Sequence, residues 1–268
     1  ATPSAPIPMI VSQGVSAIAP KLLILGGTTE ATALTRAVSE AGLSGTISFA
    51  GRVERPAPQA LPRRVGGFGG VDGLKDYLTT EAITHVIDAT HPFAAQMSRN
   101  AVEACADLGV PLVALTRPPW VRQPGDTWQR VADIDAAVAA LNGAPKRVML
   151  AIGRMHLAAF GSQPQHHYLL RLVDAPRMPP PLPDHRAIID RGPFTEAGDR
   201  ALLTDHRIDL VVSKNAGGSA SYAKIAAART LGLPVVMIDR PVLPARTELA
   251  TPAQVLDWIG HTGTERGV

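Results

Sequence analysis

The chain has 268 residues, 46% of them hydrophobic, with 48 glycines and prolines together, a formal charge of +3 and a sequence pI near 9.3. That composition excludes a disordered or collagen-like chain and describes a folded protein with room for one large or two smaller domains. One cysteine, Cys105, excludes a disulfide framework or a cysteine metal cluster, no window approaches a membrane span, and no basic run with interleaved aromatics points to nucleic acid, so a cytoplasmic location is expected.

Residues 1–20 carry no charged side chain and several prolines and read as an N-terminal extension, with a short strand at 9–11. The segment KLLILGGTTEA (21–31) follows, an apolar run ending in Gly26-Gly27, then Thr28, Thr29 and Glu30 leading into a helix over 31–40. Such a strand, tight loop and helix bind phosphate: two glycines let the backbone approach a pyrophosphate, and free N–H groups at the helix start face the anion. Strand two is expected at 46–50 and closes with Gly51-Arg52, where a Rossmann-like fold meets the adenosine ribose. An acid there would select NAD, whereas the basic Arg52 suits a ribose 2′-phosphate and hence NADP.

Residues 52–70 hold three prolines, four arginines and the run GGFGG, and read as a loop. After a helix over 73–80, a strand at 85–88 delivers Ala89-Thr90-His91-Pro92-Phe93 at its carboxyl end, the edge at which open parallel sheets bind ligands. Pro92 keeps His91 outside the helix expected over 93–108, in reach of a substrate or a nicotinamide. The strand at 111–116 ends in Arg117-Pro118-Pro119-Trp120 with Arg122 close behind, two cations and a flat apolar face on a stiffened loop. The chain has 21 arginines against 5 lysines, and a small polyanion is the expected partner.

A helix over 134–141 stops at Asn142-Gly143, which sets the expected domain boundary: 21–143 for the first unit and 144–268 for the second. The strand at 147–152 ends in Gly153-Arg154, a helical turn covers 155–160, and a strand over 167–173 contains Arg171. The proline-rich 175–183 is a connection, and 188–194 a short strand and loop before a helix near Thr195. In DLVVSKNAGGSASYAKIAAAR (209–229) a strand ends at Ser213-Lys214-Asn215, Gly217-Gly218 turn, and an alanine-rich helix starts at Ser219 and carries Tyr222 and Lys224. This repeats the opening design, with Lys214 as a point charge and Gly217, Gly218 and Ser221 beside a second anion cradle. The Tyr222-Ala-Lys224 spacing departs from the Tyr-x-x-x-Lys pair of short-chain dehydrogenases, no G-x-S-x-G elbow occurs, and the histidines lack metal-ligand spacing. A strand over 234–238, its exit Asp239-Arg240-Pro241 and a helix over 252–259 complete the pattern.

Taken in order, GGTTE, DATHPFA, RPPW, Gly153-Arg154, Gly192-Pro193-Phe194, SKNAGG with SYAKIAAAR, and DRP resemble the precorrin-6A reductases of cobalamin biosynthesis, over 21–241. The resemblance implies NADPH-dependent reduction of one carbon–carbon double bond in the precorrin-6A macrocycle, by two Rossmann-like parallel-sheet domains with the ligands between them. Exchange of a strand between such similar halves is compatible with the pattern. On this reading Gly26, Gly27, Thr28, Thr29, Glu30, Gly51, Arg52, Thr90 and His91 hold the cofactor. Arg117, Trp120, Arg122, Arg154, Lys214, Asn215, Gly217, Gly218 and Ser221 hold a flat polycarboxylate, and His91 and Lys214 are the candidate proton donors. No metal site and no membrane or nucleic-acid partner is expected, and a monomer accommodates the pattern.

Overall fold

The protein is described by a computed structural model over residues 18–51 and 58–265. In chain order its elements are β1 (Lys21–Leu25), α1 (Thr29–Glu40), β2 (Ser44–Phe49), β3 (Arg63–Val65), α2 (Gly70–Thr80), β4 (His85–Asp88), α3 (Ala95–Leu108), β5 (Leu112–Leu115), β6 (Trp128–Val131), α4 (Ile134–Ala139), β7 (Arg147–Ala151), a 3-10 segment (Arg154–Ser162), β8 (His167–Leu172), β9 (His185–Ile189), α5 (Glu196–Asp205), β10 (Leu210–Lys214), α6 (Ala223–Leu231), β11 (Val235–Ile238), β12 (Glu248–Leu249) and α7 (Pro252–Glu265). None of these helices is long and apolar enough to cross a membrane.

The unbroken apolar runs of β1, β4, β10 and β11 arise because both faces of each sheet are covered. In the first sheet Leu22 and Ile24 pack on α1 and α7 through Leu34, Val38, Val255 and Ile259. Leu23 and Leu25 face the other way, onto Leu74 and Leu78 of α2 and Ala101, Ala104 and Cys105 of α3. The second sheet repeats the arrangement, with Val148, Leu150 and Val212 against α4 and the 3-10 segment, and Met149, Leu169 and Val211 against α5 and α6. Each unit is therefore a three-layer sandwich of helices around a parallel sheet.

Strand order is β3-β2-β1-β4-β5-β12 in the first sheet and β9-β8-β7-β10-β11-β6 in the second. Both follow the doubly wound 3-2-1-4-5-6 order, but the sixth strands are traded. β6, which follows β5 in sequence, pairs with β11, while β12, which follows β11, pairs with β5. The crossing from the first sheet to the second thus lies between Leu115 and Trp128, so the expected boundary at 143/144 falls inside the second unit, and α7 belongs to the first.

The three strands missing from the sequence reading are short. β3 lies within the loop expected over 52–70, β6 is the half-polar WQRV, and β12 has two residues. α6 starts at Ala223 rather than Ser219, because 219–222 forms a separate turn in which the Tyr222 N–H donates to the Ser219 carbonyl at 3.3 Å. The strand expected at 9–11 and Arg52 lie outside the described residues.

Candidate active site

The loop after β1 is shaped by Gly26 and Gly27. A side chain at Gly26 would meet Ile47 at 2.9 Å, whereas Gly27, at φ +128°, has open space where its Cβ would stand. Thr28 caps α1, accepting from the Ala31 N–H at 3.1 Å and donating its hydroxyl to the Ala89 carbonyl at 2.8 Å. Its hydroxyl is thus committed to the fold, and the anion-binding capacity of the loop rests on backbone N–H groups at the start of α1. Above the loop lies a cavity of about 520 Å³ lined by Gly26, Gly27, Thr28, Thr29, Gly51, Thr90 and His91, with Gly66, Gly67 and Phe68 on its outer side and Val173 and Arg191 from the second unit. The expected cofactor residues other than Glu30 and Arg52 are thereby gathered at one cavity.

A second cavity, of about 450 Å³, opens beside the carboxyl ends of β7, β8 and β10. Arg154, Lys214 and Ser221 line it as expected, joined by Arg171, Phe194 and Lys224. His91, Ala94 and Val173 line both cavities, so the two meet at the His91 loop. His91 Nδ1 accepts from the Phe93 N–H at 3.2 Å, which leaves the ring proton on Nε2. Burial, then the charges of Arg117, Lys214, Arg240 and Lys224, lowers the His91 pKa to about 3. At neutral pH the imidazole is therefore uncharged and presents its Nε2–H as a hydrogen-bond donor.

Seven expected ligand residues make contacts within the fold. Arg117 donates to the Glu30 carboxylate and to the Ala216 carbonyl, both at 2.8 Å, tying the β1 loop of the first unit to the β10 loop of the second. Glu30 is thus the partner of Arg117 rather than a lining group of the cofactor cavity. Asn215 holds the Trp120 backbone in both directions, at 2.7 and 3.0 Å, and the Trp120 indole donates to the Gly218 carbonyl at 2.6 Å. Gly217 and Gly218 have φ near +70°, and side chains there would stand 2.3 Å from the Pro118 carbonyl oxygen and 2.5 Å from Arg117 Cδ. The absence of side chains at these glycines lets the two loops touch. Arg122 is exposed and folds back on the Asp126 carbonyl at 3.1 Å. Arg240, given no role from sequence, completes the junction by donating to the carbonyls of Asn215, Ala216 and Arg117.

Arg171, Phe194 and Lys224 were not singled out as site residues. Arg171 is held by Asp199 in two hydrogen bonds, at 2.6 and 3.2 Å, and its guanidinium lies 3.8 Å from the centre of the Phe194 ring. The available signal was position: Arg171 stands near the carboxyl end of β8, the edge that holds ligands in parallel sheets. Lys224, in the first turn of α6, is buried, and its Nζ donates to the Ser221 carbonyl at 2.6 Å. Lys214 Nζ lies 5.4 Å from the centre of the Phe93 ring.

Comparison with known proteins places the chain. The family model described as precorrin-6x reductase CbiJ/CobK matches residues 21–260. The precorrin-6A reductase of Rhodobacter capsulatus is 59% identical over 249 residues, covering 92% of this chain and 99% of that protein. That of a Sinorhizobium species is 51% identical over 222 residues, covering 82% and 85%. The solved structure titled CobK precorrin-6A reductase superposes with a TM-score of 0.87 at 58% identity, covering 93% of this chain and 100% of that one. The chain belongs to the precorrin-6x reductase CbiJ/CobK family.

Proposed function

We propose that the protein is an NADPH-dependent precorrin-6A reductase of cobalamin biosynthesis. The observation that carries the reading is the meeting of two cavities at one loop: the helix-start cavity suited to a dinucleotide and the cation-bearing cavity of the second unit share His91, Ala94 and Val173. Gly27, with open space at its Cβ position, and the N–H groups at the start of α1 fit a pyrophosphate, and Gly51 at the end of β2 fits the adenosine side. NADPH supplies the hydride when bound.

The chain's own residues do the rest. Arg154 and Lys214 offer charge to the acetate and propionate carboxylates of the macrocycle, while Met155, Val173 and Phe194 give it apolar contact. His91 Nε2–H presents a neutral donor where the two ligands meet. Catalysis is then mainly positioning. Arg52 is assigned to the ribose 2′-phosphate on its sequence position directly after Gly51.

The test is anaerobic mixing with NADPH and precorrin-6A, following cofactor absorbance and the pigment spectrum together, with NADH and Arg52→Ala as controls. Both signals move with NADPH, NADH fails, and the variant loses its preference for NADPH. If NADPH binds and neither spectrum changes, the reductase assignment falls. An unchanged preference in Arg52→Ala would overturn the phosphate assignment alone.

A further inference from the structure

The second cavity contains a lysine whose chemistry the fold does not explain. Lys224 is 4% exposed and sits in the first turn of α6, where the positive end of the helix dipole opposes a cation. Among the described residues its one hydrogen-bond acceptor is the Ser221 carbonyl, and its Nζ lies 5.0 Å from the centre of the Trp120 ring. Asp199, which favours its charge, is already held by two bonds from Arg171. Arg171 on β8 and Arg117 on the loop after β5 both oppose the charge, and burial opposes it most, so the amine is lowered to about 7. A methionine would fill the same space without these costs.

We propose that Lys224 Nζ delivers the proton that accompanies hydride addition to the macrocycle, an assignment that rests on the reductase reading. It lines the cavity together with Lys214 and Ser221, and it is one of the charges that depress His91, whose loop closes the same space. Reduction adds a hydride, supplied by the reduced nicotinamide, to one carbon of the double bond and a proton to its neighbour. The proton leaves Nζ, the electron pair of the broken N–H bond stays on nitrogen as a neutral amine, and a solvent proton restores the ammonium. An ordinary lysine is too weak an acid to protonate carbon readily, whereas an amine poised near the working pH is matched to the task. The Ser221 carbonyl takes one N–H and leaves two donors of the ammonium without an acceptor among the described residues.

The test compares wild type, Lys224→Met and Lys224→Arg with NADPH and precorrin-6A across pH, alongside NMR titration of lysine Nζ in ¹⁵N-lysine-labelled wild type, assigned with the Met variant. Expected are an Nζ midpoint near 7 and a wild-type kcat that falls as pH rises through it. In Lys224→Met, kcat drops by about 10²-fold or more and loses that pH dependence, while KM stays within about twofold. Lys224→Arg restores charge but not proton donation, so it stays slow. NADPH affinity and melting temperature of the Met variant, at or above those of wild type, show an intact fold. An Nζ midpoint near that of a free lysine overturns the proposal. So does a Met variant with raised KM, unchanged kcat and rescue by arginine, which would make Lys224 a carboxylate holder. An active wild type with unaltered Lys224→Met kinetics also overturns it and leaves the reductase reading standing, whereas an inactive wild type that binds NADPH brings down both.

Discussion

Replacing Arg246 with methionine tests how the traded C-terminal segment is held. Arg246 pairs with Asp88, the last residue of β4, and the two side chains are 8% and 1% exposed. Asp88 also accepts from the Ser98 hydroxyl at 2.6 Å and from the Thr90 hydroxyl and N–H at 2.7 and 3.1 Å. In Arg246→Met the carboxylate keeps these three donors and loses its counter-charge. Uncompensating a buried charge costs about 3–5 kcal/mol, and the surviving hydrogen bonds put the expected loss near the lower end, about 3 kcal/mol. For a chain of this size that lowers Tm by roughly 6–12 °C. Adding Asp88→Asn removes the orphaned charge, keeps an acceptor at Oδ1 for Thr90 and turns the Oδ2 position into an Nδ2–H₂ that donates to the Ser98 hydroxyl, so the double variant should recover at least about 2 kcal/mol relative to Arg246→Met. Urea denaturation of wild type, both single variants and the double variant completes the cycle. A single Arg246→Met variant within about 1 kcal/mol of wild type would refute the reasoning, because the pair would then be relaxed and solvated.

Two further outcomes follow from the site geometry. Gly217→Ala forces a left-handed φ of +68° on a side chain that also meets the Pro118 carbonyl and Arg240, so it should destabilise by more than about 2 kcal/mol and speed proteolysis in 117–126; an alanine variant as stable as wild type would contradict the contact between the loops. His91 is kept neutral in the fold, so the unfolded chain takes up its proton as pH falls below about 6.5 while the folded chain waits until about 3. Its contribution to stability is complete above 6.5 and is lost as pH falls towards 3. His91→Gln should therefore flatten the acid side of the stability profile, and the wild-type imidazole resonances should not move between pH 5 and 8.

The parallel-sheet architecture was readable because its carriers are runs such as LLIL and LVVS, whose buried two-faced burial leaves an apolar trace. β6 and β12 left no such trace. WQRV is half polar, and a two-residue strand is recognised only by the partner that it meets. The trade of strands was therefore visible as a compatibility and not as a location. At the site, glycine and arginine marked loops that line or join the two cavities, but not the bonds their side chains make in the fold. Gly217-Gly218 and Gly26-Gly27 look alike in sequence, but one pair accommodates Pro118 and Arg117 while Gly27 faces open space. Arg117 differs from Arg154 in what lies across from it: Glu30 and the Ala216 carbonyl are distant in the chain, and sequence spacing carries no sign of either. Lys224 was legible as a lysine on an alanine-rich helix, but its burial comes from packing that only the folded chain provides.

The crossed sixth strands have a consequence for biosynthesis on the ribosome. β5 forms an edge of the first sheet until Glu248–Leu249 arrives, more than a hundred residues later in the chain. At a translation rate of about 5–20 residues per second, the nascent chain carries that open edge for about 7 to 27 seconds, while the second sheet receives β6 early and can close as soon as β11 emerges. The unit synthesised first is thus the unit finished last. Until then an exposed parallel edge carrying Val113 and Leu115 is a template for pairing with other chains.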